Sequence, residues 1–107
     1  MNIEIKRFVQ SSEMINIDFP VYSKAIHSTD VDGYGSAHYR MVRDDLSFIE
    51  IGITLGPKNK MFTINIGDKI DFDTDEPIDF ITGSGEYTCS SEEFDEALAA
   101  ARIAIRG

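Results

Sequence analysis

Through the first two thirds of the chain, apolar and polar residues alternate. Ile3 and Ile5 alternate with Glu4 and Lys6, and Ile15, Ile17 and Phe19 alternate with Asn16 and Asp18, so each run puts its apolar side chains on one face of a strand. Residues 10–13 read as the hairpin loop between these two strands. Pro20 has no N–H to give a ladder and belongs at a strand edge or bend, ahead of a strand over 21–26. The polar, glycine-containing stretch 28–35 reads as a longer loop.

Ala37, Tyr39, Met41 and Arg43 then alternate with Ser36, His38, Arg40 and Val42, predicting a strand of mixed character that closes at Asp44 and Asp45. Ile49, Ile51, Ile53 and Leu55 face one way while Glu50, Gly52 and Thr54 face the other. Gly56-Pro57-Lys58-Asn59 has proline at the favoured second turn position and leads into Phe62, Ile64 and Ile66 alternating with Thr63 and Asn65, which predicts a hairpin. After Gly67-Asp68 come Ile70 and Phe72, polar residues 73–76, Pro77, a short strand over 78–82 and a turn at Gly83-Ser84-Gly85.

At Ser90 the period changes from two to that of a helix. Ser90 and Glu93 have the spacing of a capping box, in which hydroxyl and carboxylate each accept from the other's backbone N–H. Phe94, Ala97, Leu98, Ala101 and Ile105 fall on one helical stripe, with Glu92, Glu93, Asp95 and Glu96 towards the start and Arg102 and Arg106 towards the end, each sign at the favourable end of the dipole. The spacing predicts a helix over 91–106, laid by its stripe on an antiparallel sheet.

The expected fold is therefore α+β: an antiparallel meander of about six to eight short strands over residues 1–89, curved or partly closed, with one C-terminal helix packed on it. Its expected core is Ile15, Ile17, Phe19, Ile49, Ile51, Ile53, Phe62, Ile64, Ile66, Phe94, Leu98, Ala101 and Ile105. At 107 residues the chain is one domain over 1–107, with no repeat or linker.

Charge adds the first functional constraint. Ten Lys and Arg against 19 Asp and Glu give −9, which argues against binding duplex nucleic acid or an anionic membrane, since both need phosphates neutralised. The imbalance is local: residues 68–96 hold eleven acidic residues against Lys69 alone, a net of −10, and the rest of the chain sums to +1. A field concentrated in this way can steer a basic partner, or it can serve solubility alone. The lone Cys89 cannot form an intramolecular disulfide, and no segment has the form of a secretory signal or approaches the ~18 apolar residues of a membrane span, so a cytoplasmic setting is expected.

The candidate chemistry is sparse. Asp71, Asp73, Asp75 and Glu76 can converge on Ca²⁺ or Mg²⁺, which take oxygen ligands. An EF-hand is excluded: Glu76 stands where that loop needs glycine, Thr82 where it needs glutamate, and the flanking helices are missing. The alternative is a solvated acidic turn. His27, Asp30, Asp32 and His38 flank a Gly33-Tyr34-Gly35 turn and include the side chains a transition metal uses, but their spacing fits no metal motif. Cys89 precedes the helix, where Glu92 and Glu93 oppose a thiolate, so it reads as a packing residue rather than a nucleophile. Gly33-x-Gly35 and Gly83-x-Gly85 lack the remainder of any phosphate-binding motif. Tyr39 and Arg40 lie in the single aromatic-basic patch and suit a protein interface better than a nucleic-acid one.

The leading expectation is a small acidic, non-enzymatic protein-binding module, of the inhibitor or immunity type, docking on a basic protein surface through Asp71, Asp73, Asp75, Glu76, Asp79, Glu92, Glu93 and Glu96, with Tyr39 and Arg40. One alternative is divalent-metal binding in the loop of Asp71, Asp73, Asp75 and Glu76, with no other cofactor implied. The other is a structural or self-associating accessory protein, a homo-oligomer paired through exposed strand edges.

Overall fold

The computed structural model describes residues 1–8, 11–28, 33–72 and 75–106. The alternating pattern becomes six strands in two antiparallel sheets. Strand β1 (Asn2–Phe8) pairs with β2 (Ser11–Asn16), while β3 (Val21–Ser28), β4 (Gly35–Val42), β5 (Phe48–Leu55) and β6 (Lys60–Gly67) form a four-stranded meander in chain order. Among the described residues the sheets do not close into a barrel. The expected single sheet is divided at Pro20, which has no N–H with which to continue a ladder.

The hairpin loop expected over 10–13 is shorter than the pattern suggests: Ser11, Ser12 and Glu13 already pair with β1, and residues 9–10 lie outside the described set. Likewise Ser28 ends β3 and Gly35 begins β4, so the loop expected over 28–35 loses both its ends to the sheet. The Gly56–Asn59 turn is as expected, with the Gly56 N–H donating to the Asn59 carbonyl at 2.8 Å.

Helix α2 (Ser91–Arg106) occupies the predicted span. Its capping box is formed in both directions: the Glu93 N–H donates to Ser90 Oγ at 3.1 Å and the Ser90 N–H to Glu93 Oε2 at 3.4 Å. Phe94, Ala97 and Ala101 are buried against Met41, Ile49 and Ile51, with Tyr22, Tyr39, Ile53, Phe62, Ile64 and Leu98 completing the cluster. Alanine at two of the contact positions lets the helix approach the sheet closely. Two expected core residues are not in it: Ile66 is 67% exposed and Ile105 58% exposed. Ile66 lies on the edge strand, and Ile105 is one turn beyond the last buried residue of the stripe.

The short strand expected over 78–82 is instead a helix, α1 (Ile78–Thr82). Five residues fit either period, and here tertiary contacts decide. As a helix, Ile78 and Ile81 share a face three residues apart and enter a second core with Ile5, Ile17 and Val21, while Phe80 points elsewhere. Pro77 begins the turn, its carbonyl accepting from the Phe80 and Ile81 N–H groups, and Gly83 ends it in a left-handed conformation at φ 69°. A side chain at Gly83 would fail sterically as well, because its Cβ would lie 2.2 Å from the Tyr22 carbonyl oxygen. A 3₁₀ turn (Gly85–Tyr87) and a bridge from Thr88 to Ser23 then carry the chain along β3 towards α2.

Candidate binding surface

Beyond the apolar row of Val21, Val42 and Phe48, the sheet face away from α2 is polar. Register places Ser23, Arg40 and Glu50 in one cross-strand row, Ala25, His38 and Gly52 in the next, and His27, Ser36 and Thr54 beyond. Segment 76–87 runs over the first of these rows, and Arg40 is what ties it down. Arg40 Nη1 donates to Glu76 Oε1 at 2.9 Å and Nη2 to Glu76 Oε2 at 3.1 Å, a two-point pair. Its guanidinium carbon also lies 4.5 Å from the Phe80 ring centroid and 5.5 Å from that of Phe72. Arg7 adds a hydrogen bond from Nη1 to the Glu76 carbonyl, and its Nε pairs with Glu13 at 3.2 Å.

This arrangement separates Tyr39 and Arg40, which the sequence groups in one aromatic-basic patch. Arg40 is only 4% exposed, and Tyr39 is half-buried on the opposite face, among the side chains packed on α2. Arg40 is a structural clamp, and its Nε and Ser23 Oγ are buried without a hydrogen-bond partner among the described residues.

Beside the clamp lies a cavity of about 440 Å³, lined by His27, His38, Arg40, Glu50, Phe80 and Tyr87 among others. Phe80 and Tyr87 stack edge to face with centroids 5.5 Å apart. Desolvation pushes the Tyr87 phenol above its ordinary pKa, with Glu86 adding to the effect. The strand alternation puts His27 and His38 on this outward face, but Glu50, Phe80 and Tyr87 carried no signal of their own because the fold, not local spacing, assembles them.

The acidic candidates divide into two sets. Glu76 is spent in the Arg40 clamp, and Glu93 pairs with Lys24 at 2.8 Å while capping α2. The Lys24 bond holds the Glu93 carboxyl below the usual carboxylate range and raises Lys24. By contrast, Asp71, Asp75, Asp79, Glu92 and Glu96 are exposed, as are Glu86 and Asp95 between them. Asp73 lies outside the described residues. Among the described residues no three His, Cys, Asp or Glu side chains converge in a metal-holding group, and one of the four expected ligands, Glu76, is engaged by Arg40.

Cys89 is buried at the foot of α2, where burial, reinforced by Glu93, pushes its thiol up to about 11. A thiol in that state is not a nucleophile at neutral pH. No described helix is long and apolar enough to cross a membrane. Comparison with family models, with characterised proteins and with solved structures gives no match.

Proposed function

We propose that the protein is a small, non-enzymatic binding module that docks a basic protein surface on its acidic side. The observation that carries this reading is the fate of segment 68–96: two ion pairs and a bridge fix it on the sheet, and it still exposes Asp79, Glu86, Glu92, Asp95 and Glu96. Two acidic residues hold the segment in place, and these five are exposed, where they attract an opposite field. Rigidly held charges favour steering and specificity, because little side-chain and loop entropy is left to lose on docking. A reducing, cytoplasmic location belongs to the same reading, since the lone thiol is buried and needs no partner.

The test is affinity capture from the source organism followed by titration of salt and of charge. Glu92→Lys combined with Glu96→Lys should weaken capture of a basic partner at least ~tenfold. Reversing Asp18, exposed and outside the segment, should leave binding unchanged. Equal effects from the two reversals, or binding indifferent to salt, would sink the proposal.

A further inference from the structure

Helix α2 is longer than the sheet beneath it is wide. It starts over β3, where Lys24 pairs with Glu93 and the Tyr22 and Phe94 rings lie 5.6 Å apart, and its Ala97 and Ala101 share a cluster with Phe62 and Ile64 of β6. Its 16 residues span about 24 Å at ~1.5 Å per residue, whereas four strands at ~4.8 Å spacing are about 14 Å from β3 to β6. The apolar stripe is buried as far as Ala101, and Ile105, its last member and one turn further on, is left exposed.

The β6 edge is open. Strand β6 has eight residues in unbroken register with β5, with no proline and no bulge, and no described strand lies on its far side. Natural edges are usually blunted by such devices, and an unblunted one is a template for another strand. The opposite edge, β3, is bridged by Thr88.

We infer that a second copy of this chain occupies the edge, its β6 pairing antiparallel with β6 about a two-fold axis at Ile64. In a two-fold antiparallel pair every residue must oppose one that points to the same face, so the centre falls on a residue. Centring on Ile64 sets Phe62 against the partner's Ile66, Thr63 against the partner's Asn65, and Lys60 against the partner's Asp68, each twice. Apolar meets apolar and opposite charges meet at both ends. Centring on Thr63 instead sets Lys60 against Ile66, and centring on Asn65 sets Phe62 against Asp68, each pairing charge with hydrocarbon. The same register places Ile66 of each copy beside Phe62 of the other, on the sheet face that carries α2. Ile66, which the isolated chain leaves exposed against the pattern of its sequence, thus gains cover.

The measurement is mass by light scattering or sedimentation from low micromolar to a few hundred micromolar protein. A dimer that dissociates on dilution is expected. Ile66→Lys, at a position already exposed in the single chain, should raise its dissociation constant at least ~tenfold with far-UV circular dichroism unchanged, whereas Met14→Lys on the first hairpin should not. For register, chains carrying Thr63→Cys mixed with chains carrying Asn65→Cys should form an intermolecular disulfide on oxidation, because directly opposed Cβ atoms lie within ~5.5 Å. Neither variant should do so alone. Monomer at every concentration, equal response to the two lysine variants, or cross-linking of Thr63→Cys by itself as efficient as in the mixture would each overturn the assignment. None of these readouts depends on acidic docking, so the two proposals stand or fall separately.

Discussion

At Gly83 the chain passes so close to β3 that a methyl group has no room, and the backbone is in the left-handed region as well. Gly83→Ala should therefore cost about 3 kcal/mol or more, read as a shifted urea midpoint, since neither the Tyr22 backbone nor the φ angle can give way cheaply. The Arg40–Glu76 pair makes a different kind of demand. With side-chain exposures of 5% and 20%, removing the carboxylate by Glu76→Ala leaves a largely buried guanidinium unpaired and should cost about 3 kcal/mol. Replacing both partners by apolar residues, Arg40→Met with Glu76→Leu, should recover most of that loss, and a double variant no better than the single one would count against the clamp. Sequence gave no warning of this pair: the partners are 36 residues apart, and each reads locally as a surface charge.

Among the elements, α2 was legible because its cap, its stripe and its charge gradient agree over 16 residues. The α1 segment was misread for the opposite reason. Over five residues the alternation of Ile78 and Phe80 is as good a pattern as the Ile78 and Ile81 spacing, and only the second core selects the helix. The start of α2 carries a pH signature. Glu93 is held below its ordinary value of 4.5, chiefly by Lys24, so its contribution is present above that pH and is lost as pH falls through the lower folded value. Lys24 is raised above 10.5, so its share is present below that pH and is lost as pH rises through the higher folded value. Glu93→Gln should flatten the acid limb of the urea midpoint plotted against pH while leaving neutral behaviour nearly unchanged, because the pair is exposed and worth little.

On the scale of the molecule, a charge of −9 acts in opposite directions on the two associations proposed. Salt screens attraction between the acidic segment and a basic partner and should weaken that complex steadily. Two copies of the chain repel each other, and their strand pairing rests mainly on backbone bonds and apolar contacts, the two exposed Lys60–Asp68 pairs being worth little, so salt should not weaken the dimer. Sedimentation of the protein alone and with its partner across a salt series separates the two.

Taken by itself, the sequence determined what is local: strand and helix periods, the Gly56–Asn59 turn, the capping box of α2 and the segregation of acid into 68–96. Each of these depends on residues within a few positions of one another, so spacing is enough to reveal it. The tertiary structure alone decided which acids are spent in ion pairs, that Arg40 is buried, that 78–82 is helical, and that Ile66 and Ile105 are left exposed. Those outcomes depend on contacts between residues tens of positions apart, and no local pattern encodes them.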